Sequence, residues 1–186
     1  MANFQLVVYG ATSFVGQLLT RYLFERHGVN GDLQWAIAGR SQSKLNELRQ
    51  SLGSAAQALP IVLADATDEA ALTAMCQQTK VVVSTVGPYV LYGSTLVKVC
   101  ASTGTDYCDL TGEPQWIAQM IEQYEATAQK NGARIVHCCG FDSIPSDLGT
   151  YYLQQQANQQ FGQACTRVKL RVKAIKGGMS GGTVGS

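Results

Sequence analysis

An α/β fold built on a doubly wound parallel sheet is what this sequence predicts, and three observations carry the expectation. Short β-branched runs alternate with segments whose apolar residues recur at helical spacing, the pattern of strand–helix–strand units that set helices on both faces of a sheet. The run Val81, Val82, Val83 has no polar alternation, as a strand covered on both faces requires. The composition, 46% hydrophobic and 15% charged with 19 Gly and 4 Pro in 186 residues, excludes a disordered or collagen-like chain. That length also lies below the ceiling of about 250 to 300 residues for a single core.

The elements follow in order. Gln5 to Tyr9 reads as the first strand, Gly10 to Gly16 as a glycine loop, and Phe14 to His27 as a helix whose final histidine suits its dipole. Leu33 to Ala38 is a second strand, and Lys44 to Leu52 places Leu45, Leu48 and Leu52 on one helical face. Ile61 to Ala64 is a third strand, followed by a helix over Asp68 to Gln77 with an acidic first turn. Lys80 to Val86 is the fourth strand, Tyr92 to Ser102 a helix, Tyr107 to Leu110 the fifth strand, and Gln115 to Asn131 a long helix closed by Gly132. Arg134 to Cys138 is the sixth strand, and Asp147 to Phe161 a helix ended by Gly162. Right-handed crossovers join such units into a parallel sheet. After Cys165 the texture changes, because Val168, Leu170, Val172 and Ala174 alternate with Arg167, Lys169, Arg171 and Lys173. Thr166 to Lys176 is thus expected to be a half-exposed strand, the first of a truncated second α/β domain. Residues 1–162 would form the first domain and 163–186 the start of a substrate or dimerisation domain. An unpaired strand recruits another, so a homodimer through residues 166–176 is expected.

Fourteen Lys and Arg against 13 Asp and Glu give a net charge of +1, which lacks the basic footprint of a nucleic-acid binder. No apolar run approaches the roughly 18 to 20 residues that cross a bilayer, and Met1 to Gln5 does not open like a signal peptide. A cytoplasmic protein is expected. The six cysteines show no CxxC pair and no Cys/His metal spacing; they read as reduced, mostly buried thiols, with Cys138 and Cys139 on opposite sides of a strand. A redox pair at Cys138 and Cys139 is the alternative.

The sharpest chemical signal is Gly10-Ala11-Thr12-Ser13-Phe14-Val15-Gly16 between the first strand and the first helix. Such a loop makes a tight turn, packs helix closely on strand, and presents free amides and a positive dipole to a pyrophosphate. Ser13 occupies the position of the middle glycine. At the end of the second strand, Arg40 stands where an NAD site would place Asp or Glu; its guanidinium suits a 2′-phosphate, with Ser41 and Lys44 assisting. Asp65 either accepts from an adenine amino group or, like Asp68, caps a helix. The loops after the later strands bring Gly87, Pro88 and Tyr89, then Asp109, Thr111 and Glu113, then Asp142 and Ser143 towards the same crevice. Tyr89 is a candidate acid, or a ring packed on the cofactor, and Glu113 with Asp142 a candidate carboxylate pair. Against the pair stands the reading of Asp142 or Ser143 as a helix cap ahead of Pro145. His137, in an apolar strand, reads as a satisfied core histidine. No Ser/His/Asp order, Tyr-x-x-x-Lys pair or metal spacing is present.

Five segments together carry a resemblance: Tyr9 to Gly16, Ala38 to Ser41, Val86 to Tyr89, Tyr107 to Glu113, and Cys139 to Gly149. In this order they resemble the saccharopine dehydrogenase-like oxidoreductases, a group that includes the trans-acting enoyl reductases. The resemblance implies a Rossmann-type domain that binds NADP(H), followed by an α/β substrate domain into which Gly177 to Thr183 would lead. It implies an NADP(H)-dependent oxidoreductase acting on a small-molecule, acyl or lipid substrate, with this portion inactive alone. The alternative is a non-catalytic NADP(H)-binding sensor or scaffold module.

Overall fold

The computed structural model describes residues 3–29 and 31–174. Six strands run β1 (Phe4–Tyr9), β2 (Trp35–Gly39), β3 (Ile61–Leu63), β4 (Thr79–Ser84), β5 (Asp106–Asp109) and β6 (Ile135–Val136). They form one sheet in the order β3-β2-β1-β4-β5-β6, every pair parallel. The helices are α1 (Phe14–His27), α2 (Gln42–Ser51), α3 (Glu69–Cys76), α4 (Tyr89–Tyr92), α5 (Ser94–Thr103), α6 (Pro114–Asn131) and α7 (Ile144–Phe161), with a short 3-10 turn over Ser54–Ala58. The fold is the doubly wound α/β sheet expected.

Two apolar clusters show which face α1, α2, α3, α5 and α6 cover. Val8, Trp35 and Ile37 pack with Leu23 of α1 and Leu45 and Leu48 of α2 on one face. Val7, Ala36, Val82 and Tyr107 pack on the other with Leu72 of α3, Leu96 and Cys100 of α5, and Trp116 and Met120 of α6. Each fully buried Leu or Met contributes about 1.5 to 3 kcal/mol of hydrophobic stabilisation, so these two layers hold the sheet between them. Strand order reverses between β1 and β4, and at such a switch point a crevice opens beyond the strands' carboxyl ends. The covering of the α1 face weakens towards β6. Val8, Val83, Cys108 and Val136 lie in register across four strands, and exposure rises from 0% at Val8 through the half-buried pair to 53% at Val136.

Several local expectations are corrected. Residues 166–174 form no strand, and the side chains of Leu170 and Val172 are exposed. Alternation assigns side chains to faces, but a strand exists only where a neighbour supplies ladder bonds, and no described strand lies beside this segment. The first strand of a second domain, and pairing of two copies through it, therefore have no strand to rest on among the described residues; 175–186, including Gly177 to Thr183, lie outside them. The helix expected at Tyr92 to Ser102 is two helices, α4 and α5, meeting at Gly93. β6 ends at Val136, so Cys138 and Cys139 lie in the following turn rather than on two sides of a strand. Ser143 is at the N-cap of α7 but neither it nor Asp142 makes a side-chain capping bond. No helix among the described residues is long and apolar enough to cross a membrane.

Candidate functional site

A cleft of about 290 Å³ opens at the carboxyl ends of β1, β2 and β4, and Gly10, Thr12, Ser13, Arg40, Asp65 and Gly87 are among the residues lining it. Its floor is the loop into α1. Gly10 has φ +83, and a Cβ there would sit 2.5 Å from Val86 Cγ2, so both conformation and space demand glycine. A Cβ on Gly16 would lie 2.2 Å from the Gly10 carbonyl oxygen, which fixes how closely α1 approaches β1. Ser13 is the N-cap of α1: its Oγ accepts from the Gly16 amide at 2.9 Å and shares a 2.9 Å hydrogen bond with Thr85 Oγ1. Thr85 Oγ1 also lies 2.9 Å from the Gly10 carbonyl, to which it donates, and so ties the end of β4 to the loop. No described group accepts from the amides of Phe14 and Val15, so the first turn of α1 keeps donors and the positive end of its dipole for an anion. The Phe14 ring points to solvent, and Gly16 lies beneath the lining rather than in it.

Arg40 follows β2 and stands exposed, with no ion-pair or hydrogen-bond partner among the described residues. Asp65 stands beyond β3, its Oδ1 taking the Thr67 amide at 2.9 Å and the Thr67 hydroxyl at 2.7 Å. Those bonds, amide first, hold its carboxyl below the usual carboxylate range, and Arg40 adds to the effect. The helix cap is Asp68, which accepts from the Ala71 amide, so Asp65 is not the cap of α3. Ser41 caps α2 through the Lys44 amide at 3.4 Å; Ser41 and the exposed Lys44 are outside the lining. Tyr9, at the end of β1, lines the cleft, and burial raises its phenol above the ordinary range.

The acid–base candidates are placed differently from the glycine loop. Tyr89 is 4% exposed; its hydroxyl donates to the Ser84 carbonyl at 3.0 Å and accepts from the Leu110 amide at 3.3 Å. Burial raises that phenol well above its ordinary range, and Tyr92, one turn later, lines the cleft instead. Both oxygens of Glu113 are taken by the amides of Tyr89 and Val90, each at 2.8 Å. Asp142 is exposed after β6, and no bond joins it to Glu113.

A polar centre that periodicity does not reveal lies between β5 and β6. The buried Asp109 carboxylate accepts from Tyr107 Oη at 2.9 Å, the Thr111 amide at 3.2 Å and the Cys138 amide at 3.1 Å, and pairs with His137 Nδ1 at 2.7 Å. The His137 ring stands edge-on to Trp116 with centroids 5.1 Å apart, so it is a packed and partnered core side chain. All six cysteines are free. Cys76 and Cys100 are buried with Sγ atoms 3.6 Å apart, whereas Cys139 and Cys165 are exposed, which corrects the expectation of general burial. Cys138 has φ +62, a conformation that side chains rarely adopt.

Residues 6–136 match the family model described as the saccharopine dehydrogenase NADP binding domain. A Mycobacterium tuberculosis protein provisionally named a trans-acting enoyl reductase is 48% identical over 99% of this chain and 43% of its own length. The trans-acting enoyl reductase of Mycobacterium leprae is 40% identical over 98% of this chain and 43% of its own. Among solved structures, the apo form of saccharopine dehydrogenase (L-Glu forming) from Saccharomyces cerevisiae aligns with a TM-score of 0.66 over 84% of this chain and 32% of that one; at 18% identity it shows likeness of fold. The chain belongs to the saccharopine dehydrogenase NADP-binding domain family, and its cofactor is NADP(H). It spans less than half the length of these curated relatives.

Proposed function

From that membership, we propose that the chain is the cofactor-holding portion of an NADP(H)-dependent reductase of the trans-acting enoyl reductase type. Its substrate would be an acyl chain or another small molecule. The observation that carries the reading is Arg40, which directly follows β2 in place of an acidic residue and has no ion-pair or hydrogen-bond partner among the described residues, on the same cleft as the bare amides of α1. Arg40 would hold the 2′-phosphate, the Phe14 and Val15 amides the pyrophosphate, Asp65 the adenine end, and Gly87 with Tyr92 the opposite end. When bound, NADPH supplies a hydride; this chain's residues orient it and set the electrostatics around it. The exposed end of the row through Val136 leaves an apolar flank for the portion that the relatives have beyond this length.

A second reading, a non-catalytic NADP(H)-binding module, draws on Tyr89 and Glu113, whose polar atoms are engaged away from the cleft. Calorimetric titration with NADPH and NADH tests the common premise. A bidentate contact to a charged group is worth about 1.5 to 3 kcal/mol, so NADPH should bind roughly ten- to a hundredfold more tightly than NADH, and Arg40→Ala should erase the preference. Equal affinities in the unaltered protein would refute the assignment of Arg40. Reductase activity, assayed with enoyl thioesters on a full-length relative carrying this portion, separates the enzyme from the module.

A further inference from the structure

We infer that Glu113 is a positioning residue for the half of the cofactor at the β4 end of the cleft, an inference that rests on the NADP(H) reading above. Glu113 directly precedes α6 but makes no capping bond to that helix; its carboxylate reaches back 24 residues to clamp the Tyr89 and Val90 amides at 2.8 Å each. The arm is itself oriented. The Glu113 amide donates to Thr111 Oγ1 at 3.2 Å, and the Thr111 amide donates to the buried Asp109 at 3.2 Å. A chain of bonds therefore runs from the core of β5 to the start of α4.

The start of α4 sits between two parts of the cleft wall. Gly87 precedes it and Tyr92 ends it, and both line the cleft. Behind α4, the Tyr89 ring packs on Trp116 with centroids 5.5 Å apart, and Trp116 Nε1 donates to Ser94 Oγ at 2.9 Å. With the back of α4 fixed by Trp116 and its front by Glu113, release of the two amides frees Gly87 and Tyr92 to shift together. Arg40, Asp65 and Thr67 are carried by the β2 and β3 ends, beyond β1, and none of them is bonded to α4 or Glu113. Glu113 accordingly acts on one half of the cleft and leaves the other alone.

The experiment uses that asymmetry. Binding of NADPH and of 2′,5′-ADP, which carries the 2′-phosphate but no nicotinamide half, is measured by calorimetry on the unaltered chain and on Glu113→Gln. The substituted side chain loses the charge, keeps one acceptor oxygen and turns an NH2 group on the second amide. Losing a charge-assisted bond of this kind should weaken NADPH by about five- to thirtyfold and leave 2′,5′-ADP within about twofold. Unchanged NADPH affinity overturns the inference, and so does an equal loss for both ligands, which would mean general loosening. If the unaltered chain binds neither ligand, the NADP(H) reading fails instead. Should Glu113→Gln not fold, Glu113→Asp, which keeps the charge on a shorter arm, is read by the same split.

Discussion

Asp109→Ala is the substitution from which we expect the largest loss of stability. The carboxylate is fully buried and four donors converge on it: Tyr107 Oη, His137 Nδ1 and the amides of Thr111 and Cys138. Truncation removes the common acceptor of a β5 side chain, the loop into α6 and the turn after β6, and leaves a hole beside Tyr107 and His137. A hydrogen bond to a carboxylate contributes about 1.5 to 3 kcal/mol, and a buried donor left without its acceptor costs about 1 to 3. Thr111 is buried while Cys138 is half-buried, so water can reach some of the orphaned groups and not others. About 4 kcal/mol is the expected sum, a large part of the 5 to 15 kcal/mol typical of a whole domain. For a chain of this size about 2 to 4 °C is lost per kcal/mol, so the melting temperature should fall by roughly 8 to 16 °C. Asp109→Asn retains the shape and one acceptor oxygen but turns an NH2 group on the remaining donors, and about half the loss is expected. Thermal and urea unfolding followed by circular dichroism reads both variants. A loss below about 1 kcal/mol for the alanine variant would refute the claim that one carboxylate organises these three segments.

Two further outcomes follow from the same geometry. With a disulfide-exchange reagent on the folded protein, Cys139 and Cys165 should react first, Cys108, which burial pushes up to about 12, slowly, and Cys76 and Cys100 only on unfolding; native labelling of all six at one rate would contradict the described burial. The Asp106 carboxyl is held below the usual carboxylate range, chiefly by its side-chain bond to Arg134, so its contribution is present above the unfolded value near 3.9 and disappears as pH falls through the lower folded value. Asp106→Asn should lower the melting temperature modestly at neutrality and flatten the acid limb of its profile below about pH 4, where the two proteins converge, and an unchanged limb would dissociate the pair from acid stability.

What the sequence made legible was local. The Gly10 to Gly16 loop, the Asp68 cap and the alternation of strand and helix each depend on residues within a few positions of one another, and spacing reports them directly. Asp109 with His137 and Glu113 with Tyr89 are joined across 28 and 24 residues, by pairings that exist only once β4, β5 and β6 lie side by side. No periodicity encodes them, although polar side chains placed beyond several strand ends were the available signal. Tyr89 was drawn towards the cleft by its neighbours Gly87 and Pro88, yet the start of α4 turns its ring onto Trp116 and brings Tyr92 round to the lining. The segment after Cys165 shows the opposite failure: alternation over Val168, Leu170 and Val172 is real, but backbone pairing needs a partner that alternation does not supply.

Ser13 shows how a departure from a motif is absorbed. The position invites glycine because a side chain there would stand between the helix terminus and an anion. In this fold the Ser13 hydroxyl turns inward instead, with Gly16 N and Thr85 Oγ1 each 2.9 Å away, so its oxygen is engaged by the protein before any phosphate arrives. The same contact links α1 to the end of β4, where Thr85 also holds the Gly10 carbonyl. Residues far apart in sequence thereby set the curvature of one loop. Close approach to the helix terminus is preserved because glycine remains at the two points where a Cβ would collide with the protein itself, Gly10 against Val86 and Gly16 against the Gly10 carbonyl. The middle position, free of that constraint, can carry a cap that stabilises α1 by about 1 kcal/mol while leaving the Phe14 and Val15 amides available.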